Sequence, residues 1–332
     1  MKFLFRVDAY PEIALGHLSR CIQLAIALKK YTNSILFVVY EDCPLLEKLE
    51  KNQISYKLLP CKINTDPYEF LYLKDYQDYI FVIDSYNVDE NYFKELSDTA
   101  FEIVYLDDLM IDYKNINLVI NPSCYSTKKQ YKNKDSLLGL DYLILSEEYK
   151  KGNHNEKNNV SKLMITMGGI DHYDLSTKLI KIVENIQLKL ELNIIVGPYY
   201  SNIDSIFKAK ENSPLTINIF TDLSSIENVI SNSDIAVSAG GFTIFELACM
   251  SKPSIGISLW KNQSNNITCL GNHGAIIPMF FQDNDNFYKE LEENIKQLVN
   301  KPLFRKGLSE NCKIIDGSGT ERIAKFLSKR YG

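Results

Sequence analysis

The sequence has no apolar run long enough to cross a membrane, no C-x-x-C pair among its seven cysteines and no excess of basic residues. The first absence leaves no candidate membrane-spanning helix. The cysteines (Cys21, Cys43, Cys61, Cys124, Cys249, Cys269 and Cys312) are odd in number and scattered, several inside apolar runs. They read as reduced, buried thiols of a cytoplasmic protein. The net charge of -5 gives no sign of nucleic-acid binding, although backbone amides and a few placed cations still allow an anionic ligand. The amino-terminal apolar run is broken by Arg6 and Asp8 and is too short for a signal peptide. No G-x-S-x-G elbow, Walker A loop, H-E-x-x-H pair or G-x-G-x-x-G after the first strand is present. No repeat with a period of about 20 to 50 residues is visible either, so a solenoid is excluded.

What is there fits a globular protein of 332 residues with an ample core: 45% hydrophobic and 24% charged residues. That length suits two domains. Short apolar runs alternate with amphipathic stretches. Strands are expected over 2–7, 34–39, 55–59, 79–84, 101–107 and 117–120, with a helix over 17–30. A polar, Asn- and Lys-rich stretch then reads as a linker over 151–161. Strands follow over 162–167, 190–196, 215–220, 234–238, 253–258 and 274–279. The helices expected between and after them cover 174–186, 222–231, 242–251, 262–272, 284–300 and 318–330. Strand–helix alternation of this kind predicts α/β architecture with mostly parallel sheets. The expected layout is two doubly wound, Rossmann-type domains, 1–150 and 162–332, with ligands at the carboxyl ends of the strands.

The turns after those strands carry the chemistry. "EIALGHLSRC" puts His17, one of four histidines, at the start of the first helix. The positive end of a helix disfavours imidazolium, so His17 is expected to be neutral near pH 7 and able to take a proton. Gly16 before it offers unusual backbone angles and close ligand approach. "MGGID" exposes the backbone of Gly168 and Gly169, which suits a phosphate. "SAGGFTIFEL" repeats the device with Ser238, Ala239, Gly240 and Gly241. Thr243 lies in the following first turn, and Glu246 on the same face can accept from ribose hydroxyls. In "WKNQSNN" the amides of Asn262 and Gln263 can reach a sugar or a diphosphate. In the first half Asp84 and Tyr86, Asp107 and Asp108, and Asn121 stand at strand ends. The paired aspartates lack the further ligands that a metal site needs. His154 falls in the linker, His172 follows the "MGGID" turn and His273 reads as a loop residue.

Taken in order, "FRVDAYPEIALGHLSRCIQLA", "VIDSYN", "LDD", "INPS", "GLDYLILSEEY", "MGGIDHYD", "SAGGFTIFEL", "WKNQ" and "DGSGTERIA" resemble the UDP-sugar hydrolases of pseudaminic acid biosynthesis across essentially the whole chain. The resemblance implies a GT-B fold like that of the lipid-II-forming N-acetylglucosaminyltransferase. It implies UDP bound by the second half through Gly168, Gly169, Ser238, Gly240, Gly241, Thr243 and Glu246. The first half would hold the sugar and the base, with His17 and Tyr86 catalytic and Asp8, Gly16, Arg20, Asp108 and Asn121 lining the substrate, joined by Asn262 and Gln263. The implied reaction releases UDP from a UDP-linked 2,4-diacetamido-2,4,6-trideoxyhexose with anomeric inversion, without cofactor or metal, in a cytoplasmic protein whose oligomeric state is left open, a monomer being favoured. The chain departs from that family at Tyr10, Ala14 and Ser146, where serine, glycine and arginine are usual, and these departures bear on the sugar. An inverting UDP-sugar-dependent glycosyltransferase of the same fold is the alternative. A non-catalytic nucleotide-sugar-binding protein is the third reading.

Overall fold

The computed structural model describes residues 1–10, 16–43, 46–132, 134–150, 159–201, 203–221, 223 and 225–332. The expected linker falls largely at 151–158, outside the described residues, as do His154 and Ala14. Two compact units emerge, Met1–Ser146 with Gly317–Gly332, and Glu147–Asp316.

The first unit holds a seven-stranded sheet in the order β3-β2-β1-β4-β5-β6-β7. Its strands are β1 (Phe3–Val7), β2 (Ile35–Tyr40), β3 (Ser55–Leu59), β4 (Ile80–Asp84), β5 (Glu102–Leu106), β6 (Leu118–Asn121) and β7 (Asp135–Leu138). Every pairing is parallel. β1 and β4 are buried along their whole length, which is why they read as apolar runs rather than alternating ones, interrupted only by the buried Arg6 and Asp84. β7 escaped the sequence reading because "DSLL" is short and buries only Leu137. Helices α1 (Gly16–Leu28), α2 (Leu46–Lys51), α3 (Glu69–Leu73) and α4 (Glu90–Ser97) cover the sheet. Leu18, Cys21, Ile22, Ala25 and Leu28 of α1 enter the core on one face. Leu73, Phe93 and Leu96 fill the other.

The second unit repeats the plan with six parallel strands in the order β10-β9-β8-β11-β12-β13. They are β8 (Lys162–Thr166), β9 (Glu191–Ile195), β10 (Ile217–Phe220), β11 (Ile235–Ala239), β12 (Ser254–Ser258) and β13 (Ile277–Phe280). The helices are α5 (Glu147–Lys150), α6 (Leu175–Asn185), α7 (Ile203–Asn212), α8 (Glu227–Ser231), α9 (Thr243–Cys249), α10 (Ser264–Asn272), α11 (Asp285–Asn300) and α12 (Pro302–Asn311). α5, α7 and α12 were not expected: α5 and α7 bury one side chain each, Tyr149 and Ile206, and α12 buries only Arg305, Leu308 and Ser309 and carries Gly307. Pro302 opens it, at the one helical position where a missing N–H costs nothing.

The last helix, α13 (Gly319–Tyr331), departs from the expected domain limits: residues 317–332 belong to the first unit, not to the second. Ile323, Ala324 and Leu327 complete the core beside α1. Its start is fixed by contact with the 141–145 segment. The Thr320 hydroxyl donates to Leu145 O at 2.7 Å and accepts from Leu145 N at 2.9 Å. A Cβ on Gly319 would lie 2.3 Å from Leu143 O, so only glycine permits this approach. No shift in composition marks the return at Gly317, which turns the chain with φ +70.

One buried ion pair ties the β3–α3 connection to the sheet. Arg6, wholly buried on β1, donates from Nε to Glu69 Oε1 at 2.7 Å, and Glu69 is equally buried. The remaining oxygen of Glu69 accepts Asn64 N at 2.8 Å, and Arg6 also donates to Cys61 O at 3.1 Å. Removing one partner strands the other charge. Glu69→Ala is therefore expected to lose about 3–5 kcal/mol in denaturant unfolding, and Arg6→Met with Glu69→Leu to recover most of it.

Candidate functional site

In the first sheet, chain order reverses at β1, which has β2 on one side and β4 on the other. The carboxyl ends of β1 and β4 thus form the switch point at which open α/β sheets bind ligands. Asp8 N donates to Asp84 O at 3.1 Å, so the two strand ends run out together. α1 starts just beyond β1 and delivers His17 and Arg20 to this point.

Asp84 is the centre of the arrangement. His17 Nδ1 lies 2.5 Å from Oδ1, and Arg20 grips both oxygens, Nη2 to Oδ1 at 2.6 Å and Nε to Oδ2 at 2.7 Å. The Cys21 thiol donates to Oδ2 at 3.3 Å. Arg20 extends to Asp108 at 2.9 Å, and the Tyr86 hydroxyl donates to Asp108 Oδ2 at 3.2 Å. The Tyr86 ring meets the His17 ring edge-on with centroids 4.6 Å apart. Four of the expected residues, His17, Arg20, Tyr86 and Asp108, therefore form one cluster. Asp84, their hub, was visible in the sequence only as a strand-end acid.

The expectation of a His17 kept neutral by the helix end is corrected. Burial disfavours the imidazolium, but the charge and hydrogen bond of Asp84 outweigh it and raise the pKa above 6.5. Asp84 itself is held well below the usual carboxylate range: burial opposes its charge, and Arg20 and His17 overcome that. With Nδ1–H donated to Asp84, Nε2 is the acceptor of the neutral ring, and it has no hydrogen-bond partner among the described residues. Burial and then Asp108 push the Tyr86 phenol up, so it stays a donor.

Asp8 is buried with Oδ2 taking the Ser85 hydroxyl at 2.5 Å, whereas Oδ1 is buried without a hydrogen-bond partner among the described residues. Burial raises its pKa. Tyr10 is buried too, and its hydroxyl accepts from Asn87 Nδ2 at 2.8 Å. Two expectations change here. Gly16 has no positive φ and needs none; it opens α1, exposed, with open space beside it. Asn121 is fully buried, its amide donating to the Tyr131 hydroxyl at 2.7 Å and its oxygen accepting Ser123 N at 2.9 Å. Both ends of that side chain brace the β6 turn instead of facing a ligand. Asp107 is similarly spent on Leu109 N and the Tyr131 hydroxyl.

In the second sheet the reversal falls between β8 and β11, where the two glycine turns emerge. Gly168 adopts φ +78, a conformation that favours glycine. The N–H groups of Gly169 and Gly241 have no hydrogen-bond partner among the described residues, and Gly241 has open space beside it. Gly240 corrects the reading of that turn. Its N–H is donated to Ile257 O at 2.8 Å, and a Cβ there would meet Ile267 at 2.6 Å. It is glycine so that α10 can close on the sheet. Ser238 is buried with its hydroxyl on Ala239 O at 2.9 Å, and Gln263 accepts Leu259 N at 2.9 Å, so both shape the turns from within. Asn262 is exposed. Thr243 and Tyr149 of α5 hydrogen-bond Glu246, whose carboxyl burial pushes up to about 7. Tyr149, which ends the segment "GLDYLILSEEY", was not singled out in the sequence.

Residues 162–325 match the glycosyltransferase family 28 C-terminal domain. The fold of the chain is GT-B. MurG of Acinetobacter baumannii superposes with a TM-score of 0.68 at 13% identity, covering 99% of this chain and 100% of that one. Anabaena HepE in complex with UDP and glucose gives 0.61 at 12% identity over 99% of each chain. Among curated relatives, an uncharacterized protein of Methanocaldococcus jannaschii is 24% identical over 79% of this chain, which spans only 56% of that protein's length. The UDP-2,4-diacetamido-2,4,6-trideoxy-beta-L-altropyranose hydrolase of Campylobacter jejuni is 23% identical over 82% of this chain and 97% of its own.

The GT-B chain should show its histidine pair in titration. A raised pKa means the His17–Asp84 pair adds stability below pH 6.5, a share lost as pH rises through the higher value. NMR titration of the His17 ring is expected to give a midpoint above 6.5, and Asp84→Asn to move it down. A wild-type midpoint at or below 6.5 contradicts the pairing.

Proposed function

We propose that this GT-B chain is an inverting enzyme of UDP-sugars in which His17 deprotonates the attacking hydroxyl. The observation that carries the reading is the Asp84–His17 pair at a sheet switch point, with Nδ1 bound to carboxylate and Nε2 open. Asp84 fixes the tautomer and offsets the positive charge that the ring gains. The nucleophile's oxygen bonds to the anomeric carbon, the bond to the diphosphate oxygen breaks, and the proton passes to Nε2. UDP departs as an anion. Donors at Gly169 and Gly241 in the second unit stabilise the charge growing on it, and Glu246 takes the ribose hydroxyls. Asp8 Oδ1 accepts an N–H or O–H of the sugar or acceptor, which gives that buried oxygen the partner it lacks.

Transfer to an acceptor hydroxyl is the reading that the family 28 domain and the GT-B relatives support best. Hydrolysis, with water as the nucleophile, is the second reading. It is supported by the Campylobacter hydrolase, which matches along 97% of its length. Incubation with a panel of UDP-sugars separates the two: UDP released at full rate with no acceptor favours hydrolysis, and release that waits for an added acceptor favours transfer.

His17→Ala is expected to lose about 10²–10⁴-fold in turnover with UDP affinity unchanged, as read by steady-state kinetics and calorimetry. Turnover equal to wild type removes His17 from the mechanism. If Glu246 binds ribose as a carboxylate, UDP affinity weakens as the pH falls through about 7, and this dependence disappears in Glu246→Gln.

A further inference from the structure

The single tryptophan of the chain lies at the carboxyl end of β12, 45% exposed. Trp260 has its aromatic neighbours among the described residues in one turn. Its ring centroid is 5.8 Å from that of His172 and 5.9 Å from that of Tyr173, both in the turn after β8. Tyr173 in turn meets Phe281 at 4.3 Å, and Phe281 meets Phe287 of α11 at 5.1 Å. The row is thus anchored in the core and ends in an indole whose outer part faces solvent. His172 beside it is exposed as well. None of these rings has a role in the chemistry described above. Two residues beyond Trp260, the same loop presents the exposed amide of Asn262. An aromatic surface with one polar group beside it is the usual make-up of a small-molecule subsite.

We infer that Trp260, supported by Tyr173 and flanked by His172, is a stacking shelf for the hexose ring of the nucleotide-sugar. The inference rests on the UDP-sugar reading and adds the place of the sugar within the second unit. The faces of the sheet decide which part of the ligand reaches it. Tyr173 and Phe281 pack with α6 and α11, on the face to which Ile255 and Ile257 point. α9 and α10 lie on the other face, where Ile244 and Ile267 close over Gly256. Glu246, the ribose acceptor, belongs to α9. The glycine turns stand between, at the ends of β8 and β11. Ribose and hexose sit at opposite ends of a diphosphate. With ribose on the α9 side, the end that reaches the shelf is the hexose, and a ring bearing a methyl or acetamido group offers apolar surface to indole.

The lone indole makes the test direct. UDP, UDP-N-acetylglucosamine and UDP-2,4-diacetamido-2,4,6-trideoxyhexoses are titrated into the His17→Ala chain, which keeps the sugar attached, with tryptophan emission and calorimetry as readouts. The tightest UDP-sugar is expected to quench and blue-shift the emission well beyond UDP alone. Trp260→Ala is expected to weaken that UDP-sugar about tenfold and leave UDP unchanged, and Trp260→Phe to restore most of the difference. Full quenching by UDP alone assigns the shelf to the base and overturns the inference. Equal binding of both ligands by Trp260→Ala overturns it too. No binding of UDP to the parent chain removes the nucleotide reading itself, a result distinct from either.

Discussion

The carboxylate of Asp84 is the constraint on which the amino-terminal site depends. Three groups from α1 converge on it: an imidazole, a guanidinium and a thiol. A buried anion this well satisfied fixes the rotation of the His17 ring and its tautomer, and so decides which nitrogen is left without a partner among the described residues. Arg20 carries a second duty. By joining Asp84 to Asp108 it links the ends of β4 and β5 and keeps two acids close without mutual repulsion. The positive end of α1, which alone would favour a neutral ring, acts through partial charges and is outweighed by a full charge at hydrogen-bond distance.

The two sheets solve the same problem differently. In the first unit the switch point is filled by charged side chains. In the second it is lined by backbone, with Gly168 twisted into a positive φ and Gly241 left open. The proposed function draws on that difference, taking its base from the first unit and its diphosphate donors from the second.

The central strands were legible in the sequence because strands buried on both faces leave predominantly apolar runs. The edges were not, since β7 buries a single leucine and α12 only three side chains. Of the residues expected at the site, His17, Arg20, Tyr86 and Asp108 lie together around Asp84, because α1 and the ends of β4 and β5 meet at the switch point of the sheet. Asn121 and Gly240 looked equally suited to a ligand, yet one braces a turn and the other makes room for α10. Position after a strand tells that a residue is near a site. It does not tell which hydrogen bonds it has already formed.

α13 brings the polypeptide back to its starting unit after 170 residues spent elsewhere, from Glu147 to Asp316. The second unit is therefore an insertion in the first. The apolar face that Ile323, Ala324 and Leu327 cover is thus completed only once the whole of the second unit has been synthesised.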